Sequence, residues 1–187
     1  MRLRAGVRGI TLIEILVVIV MMGVLLAILI PRFRISPFSR VRQVADQMVR
    51  DLELARGRAL STRSWTRVVF DPAARSYTGY LDFNRDSVFA LSSDEIDSLH
   101  GFRQRPLSDD VIYGRGAAPD VPGVPGAGVI NFPGSTLDFD ARGLTNPFGT
   151  RGVIYLSHPG DPNAIAAVTV TGGAGIRTWL YNGTSWR

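Results

Sequence analysis

The sequence predicts an α+β protein: a long N-terminal helix, apolar in its first half and amphipathic in its second, packed on a mainly antiparallel β-sheet head. Three observations carry that expectation. Residues 15–30 are an unbroken apolar run, residues 41–59 carry apolar side chains at spacings of three and four, and beyond Ser64 the apolar period falls to two. The 187 residues allow one domain plus an extension, and 45% apolar content with 20 Gly and 11 Pro predicts a real core with many turns. No cysteine is present, which excludes disulfide scaffolds, thiolate zinc sites and cysteine nucleophiles.

The first element runs over 10–30, twenty-one residues interrupted only by Thr11 and Glu14. As a helix it spans roughly 31 Å, enough to cross the hydrocarbon core of a bilayer. It is apolar on every face, Ile15 and Gly23 included, so it is no amphipathic surface helix. Nor is it a cleaved secretory signal, because the run ends Ile30-Pro31-Arg32 without the small residues that signal peptidase needs. A plain membrane anchor leaves Glu14 unexplained. An acid inside an apolar span costs about 2.5–3.5 kcal/mol to insert and marks a partner and a function.

Arg8-Gly9-Ile10-Thr11-Leu12-Ile13-Glu14 followed by this run resembles the class III signal of type IV pilins and type II secretion pseudopilins. In that family a short basic leader ends in Gly and prepilin peptidase cleaves after it. The new first residue is then N-methylated, and a Glu sits four positions beyond it. The resemblance assigns these processing roles to Gly9 and Ile10 and an assembly role to Glu14, with Ile10 standing where the family most often has Phe. Pro31 matches the proline that follows the membrane-spanning part. The implied organisation is a leader over 1–9, a transmembrane helix over 10–30, an amphipathic helical stem over 31–63 and a β-rich globular head over 64–187. The implied location is the inner membrane, single-pass, with the head on the periplasmic side. The implied partners are prepilin peptidase, other pseudopilins or pilins, and an inner-membrane assembly platform.

Charge does not set orientation, because Arg2, Arg4 and Arg8 precede the run while Arg32, Arg34, Arg40 and Arg42 follow it. Nor does the net charge of +5 point to nucleic acid. All 21 basic residues are Arg; residues 31–64 carry +5, whereas residues 65–187 carry −2. The basic character belongs to the N-terminal third, which weighs against nucleic acid as a partner of the head.

The second element starts at Ser36-Pro37, an N-cap followed by proline at the first helical position. Its apolar stripe is Val41, Val44, Met48, Leu52, Ala55 and Ala59, and the opposite face carries Arg42, Asp46, Arg50, Asp51, Glu53, Arg56 and Arg58. Strands follow at 65–70 and 77–83, joined by a turn at 71–74, then at 110–113, 129–132, 136–140, 153–157, 164–171 and 176–181. Every strand connection is too short, or too rich in Gly and Pro, for a crossover helix, so the sheet is expected to be antiparallel. The order of elements, and the stretch from Val44 to Leu60 before a Val-Val-Phe strand, are similar to the H-type minor pseudopilins and related minor pilins.

Chemistry is sparse. Asp82, Asn84 and Asp86 alternate like calcium ligands, with Asp94, Glu95 and Asp97 following, but Ser87 and Ser93 stand where an EF-hand needs Gly and Glu. A solvated acidic turn is the default. Asp138 and Asp140 fall on one face of a strand, which as a solvent face explains them without acid–base work. His100 and His158 lie far apart, and Ser157 and His158 point to opposite sides of a strand. No cofactor motif is present, so the expectation is no enzyme and no cofactor. Arg177, Trp179 and Arg187 pair guanidinium with aromatic groups and are the candidate DNA contact. The simpler account is a closing strand with its Trp in the core. The function expected from the resemblance is a minor pseudopilin that primes or caps the fibre of a type II secretion system; the alternative is a minor type IV pilin of pilus assembly or DNA uptake.

Overall fold

Helix α1, Leu12–Leu29, holds the apolar run, and helix α2, Pro37–Thr62, holds the amphipathic stripe. The computed structural model describes residues 10–29, 36–86, 88, 89, 104–124, 126 and 128–187, with backbone alone at 28 and 29. The chain divides into two units, Met1–Ile35 and Ser36–Arg187. In the first, 18 helical residues give about 27 Å of helix. Among the described residues no helix is long and apolar enough to cross a membrane. The expected span over 10–30 runs past them, since Ile30 and Pro31 lie outside the described residues.

The second unit begins as the sequence predicts. Ser36 caps α2, its Oγ accepting a hydrogen bond from the Ser39 N–H at 3.2 Å, and Pro37 opens the helix. The helix stops at Arg63, whose backbone is left-handed with φ of +50° and whose N–H returns to the Ala59 carbonyl. Its buried stripe is Val41, Ala45, Met48, Leu52, Ala55 and Ala59. Ala45 takes the place expected of Val44, which is half-buried. Asp51, expected on the solvent face, is buried as well.

Two antiparallel sheets flank this helix. The first contains β1 (Thr66–Asp71), β2 (Ser76–Leu81), β3 (Arg105–Pro106), β5 (Thr136–Phe139) and β6 (Thr145–Asn146), in the order β3-β2-β1-β5-β6. The second contains β4 (Ile112–Tyr113), β7 (Gly152–His158), β8 (Asp161–Val170) and β9 (Ile176–Tyr181), in the order β4-β7-β8-β9. Every pair between named strands is antiparallel. The strand expected at 129–132 reduces to a single bridge between Ile130 and Ile154. Pro133, which has no N–H for a ladder, instead opens a 3-10 turn over Pro133–Ser135. Strands β3 and β6 were not expected; at two residues each they are too short to show a period.

One core joins the buried face of α2 to both sheets, with Val68, Phe70, Tyr77, Leu137 and Phe139 from the first and Ile154, Leu156, Ala166, Val168 and Val170 from the second. The second sheet is covered on its other face too. There Val121 and Val124 of the Gly/Pro-rich segment 115–128 pack on Val153, Tyr155 and Ala167, with Trp179 and Trp186 at the margin. This explains why β7 reads as a continuous apolar run: it is buried on both faces.

Candidate functional site

Thr11 stands immediately before α1, and its carbonyl accepts from the N–H groups of Glu14 at 3.1 Å and Ile15 at 3.3 Å. Glu14 is therefore in the first helical turn, where the positive end of the helix dipole favours an acid. Ile10 is 71% exposed, and the apolar side chains from Leu12 to Leu26 expose between 47% and 85% of their surface. A soluble protein does not leave such a surface bare without a lipid or protein to cover it. Gly23 is exposed too, and a Cβ there would meet nothing within 4 Å. Gly9 lies outside the described residues.

The candidate calcium loop is satisfied by its own groups. The Asp82 and Asn84 Oδ1 atoms each accept from the Asp86 N–H at 3.1 Å, and the Asn84 side-chain amide donates to Asp86 Oδ2 at 2.8 Å. Asp82 is buried, while Asn84 and Asp86 stay exposed. Among the described residues no cluster of His, Asp and Glu is placed to hold a metal; Asp94, Glu95 and Asp97 lie outside them.

Asp138 and Asp140 do not form the solvent face expected of them. Asp138 receives a two-point hydrogen bond from Arg67 on the neighbouring strand, Nε and Nη2 each 2.7 Å from a carboxylate oxygen. Asp140 is buried and closes the turn to β6, accepting from the N–H groups of Arg142 at 2.9 Å and Leu144 at 3.0 Å, and from the Arg142 guanidinium. Burial alone would push its carboxyl up. The bonds from Leu144 and Arg142 outweigh burial and hold it below the ordinary value of 3.8. A depressed folded-state value stabilises the fold above the unfolded value, and that stabilisation is lost as pH falls through the folded one. Asp140→Asn is therefore expected to unfold at lower denaturant than the wild type near neutral pH, by about 1 kcal/mol, with the gap closing below about pH 4. Urea titrations across that range check it; a gap independent of pH contradicts this role.

The candidate DNA contact splits in two. The Arg177 guanidinium lies 5.4 Å from the centre of the Trp179 ring, and both line an open groove of about 400 Å³ with Pro122, Val124 and Ile176. Trp179 Nε1 donates to Thr169 Oγ1 at 3.0 Å, so the indole is tied to the sheet. Arg187 is outside that groove; its backbone pairs with Leu180 in both directions, at 2.9 and 3.0 Å. Trp186 packs against Tyr155 and Tyr181 rather than facing outward as a stacking platform.

A buried polar cluster escaped the sequence reasoning altogether. Tyr77 donates to Asp51 Oδ2 at 2.7 Å, Arg105 Nε lies 2.7 Å from the same oxygen, and Gln47 donates to Asp51 Oδ1 at 2.9 Å. Burial first, and the bond to Asp51 second, raise the Tyr77 hydroxyl well above its ordinary value, so it stays a donor at every working pH. The cluster ties α2 to β2 and β3. Its one sequence signal is position: Asp51 lies three residues after Met48 and next to Leu52, at the edge of the apolar stripe.

The arrangement of a helix packed across two antiparallel sheets recurs in solved structures. The minor pseudopilin EpsH from the type 2 secretion system of Vibrio cholerae superimposes with a TM-score of 0.52 at 14% identity, over 77% of this chain and 98% of that one. The head has a pilin-like fold. A second structure of that EpsH gives 0.49 at 19% identity over 80% and 99% of the two chains, and the type IV minor pilin FimU of Pseudomonas aeruginosa gives 0.49 at 14% over 79% and 92%. No family model matches the sequence, and no curated protein matches it. The pilin-like fold is thus carried here by a sequence 14% identical to that of EpsH.

Proposed function

We propose that this chain is a minor pseudopilin of a type II protein secretion system, a structural subunit that primes or caps the fibre. One observation carries the proposal: an exposed helix, apolar on every face with a single acid in its first turn, shares a chain with a head of pilin-like fold. Under this reading prepilin peptidase cleaves after Gly9, Ile10 becomes the methylated first residue, and the apolar helix anchors the chain in the inner membrane with its head on the periplasmic side. It then packs among the helices of other subunits on the assembly platform. The chain does mechanical work and catalyses nothing.

Coexpression with a prepilin peptidase is expected to yield a chain beginning at methylated Ile10, lighter by nine residues that include three Arg. Gly9→Trp is expected to stay at full length. Intact-mass detection of the leader on the wild type, with active peptidase present, rejects the proposal.

A second reading, a minor type IV pilin of DNA uptake, is favoured by the adjacency of Arg177 and Trp179 on one groove. The net charge of −2 over residues 65–187 opposes it. The unit Ser36–Arg187 is expected to show no band shift with DNA at physiological salt. A micromolar shift that weakens steeply with salt and is lost on joint Arg177→Ala and Arg187→Ala substitution reverses the ranking.

A further inference from the structure

Among the described residues the two sheets have four edge strands. Three of them, β3, β4 and β6, are two residues long, whereas the fourth, β9, has six. The edge of a long strand offers unpaired N–H and C=O groups to another chain. The C-terminal residues cover one end of β9. Leu180 and Arg187 exchange both backbone hydrogen bonds and the Asn182 N–H donates to the Ser185 carbonyl, so the tail runs antiparallel to β9 on its outer side. Backbone groups alternate in direction along a strand. Since Leu180 faces the tail, Thr178 and Ile176 also face outward, while Arg177 and Trp179 face β8. Among the described residues nothing pairs with the backbone of Ile176 or Thr178. Side chains alternate as well. Thr178 points toward α2, its hydroxyl donating to Asp46 Oδ1 at 3.2 Å. Arg177 and Trp179 project from the other face and line the open groove with Pro122 and Val124.

We propose that the uncovered part of the β9 edge binds an extended segment of another polypeptide, added antiparallel as a further strand, with an acidic side chain opposite Arg177 and an apolar one opposite Trp179. Main-chain bonds to Ile176 and Thr178 attach the segment, and the groove selects its side chains. Directly opposed residues of an antiparallel pair have Cβ atoms about 5 Å apart, so the acid meets the guanidinium and the apolar residue meets the indole. A second copy of this chain is a poor occupant. Pairing two β9 edges through Ile176 and Thr178 sets one Arg177 against the other, and like charges directly opposed destabilise a sheet. Strand addition at this edge does not depend on which machine the chain serves.

The test adds the capped peptide Leu-Thr-Glu-Val-Thr, or its counterpart with Lys in place of Glu, to the full chain in detergent micelles and follows backbone amide exchange residue by residue. The Glu peptide at millimolar concentration is expected to slow exchange at Ile176 and Thr178. Arg177 and Trp179, whose amides already face β8, are expected to stay unchanged. The Lys peptide is expected to bind about fivefold more weakly. Arg177 is exposed, so Arg177→Glu is expected to keep the fold and to reverse the order of the two peptides. No protection by the Glu peptide, or equal binding of both peptides to the wild type, overturns the proposal. Protection of Ile176 and Thr178 that rises with protein concentration alone also overturns it, because a second copy then occupies the edge.

Discussion

Glu14→Leu is expected to leave membrane insertion intact or improve it, while recruitment into the fibre falls by an order of magnitude or more. Under the processing proposed above, cleavage after Gly9 would expose an amine on Ile10, a positive charge four residues before Glu14. Residues four apart share a helix face, so the two charges of one chain can pair. In the staggered bundle of the proposed assembly, Glu14 of an incoming subunit can instead neutralise the Ile10 amine of the subunit already in place. At about 4 Å and an effective dielectric near 20, the attraction is on the order of 4 kcal/mol. The cost of carrying an acid to the centre of an apolar span is about 2.5–3.5 kcal/mol and is smaller in the first turn, where Glu14 stands. It offsets part of the attraction, so the pair contributes less than its Coulomb energy. Its effect is on register, because a neighbour at the wrong axial offset leaves both charges unpaired in lipid. Glu14→Asp is expected to be intermediate, since its side chain is shorter. Crosslinking or co-purification with partner subunits measures recruitment, with cleavage followed separately. A Leu variant that is cleaved and recruited like the wild type ends the mechanism.

Asp51→Leu is expected to have the largest effect on the stability of the head. The carboxylate is 4% exposed and holds the Tyr77 hydroxyl, itself 1% exposed, together with Arg105 and Gln47. Removing it takes away the acceptor of the Tyr77 hydroxyl and places an apolar side chain beside the Arg105 guanidinium. Breaking a fully buried pair costs about 3–5 kcal/mol. The Arg105 side chain is 36% exposed and relaxes toward water, which places the expected loss near about 3 kcal/mol. That corresponds to roughly 6–12 °C in Tm for a unit of this size. Tyr77→Phe removes one donor and is expected to cost about 1 kcal/mol. The double variant is expected to lose less than the sum, because both changes act on one cluster. Thermal unfolding of the Ser36–Arg187 unit measures all three. If Asp51→Leu unfolds within a degree or two of the wild type, the cluster does not hold α2 to the first sheet.

Long periodic segments were legible in the sequence because burial leaves its period there. The cap at Ser36, the α2 stripe apart from Val44, and strand β9 fall where the pattern places them, and the α+β class follows from the change of period near Ser64. The antiparallel arrangement was legible as well, since the connections leave no room for crossover helices. Glu14 stood out because an acid in an apolar run has a cost that its neighbours do not offset.

Other features required the fold itself. Sequence patterning assigns a side chain to a face and does not say what lies opposite. Asp51, Asp138 and Asp140 were placed on solvent faces by their charge, yet each is met by groups distant in sequence or on the far side of a turn: Tyr77 and Arg105, Arg67, and the Arg142–Leu144 turn. A carboxylate that finds such donors gives up water at little cost, so its charge alone did not decide its exposure. The division of the strands into two sheets was equally invisible, because α2 on one side and Val121 with Val124 on the other bury β7 and erase the alternation that marks a sheet face. The sequence by itself determined the apolar helix, its lone acid and the β-rich head, since each is a local pattern of hydrophobicity and turn residues. The tertiary structure alone decided which polar groups are buried and how the strands are shared between sheets, since both depend on contacts between residues far apart in the chain.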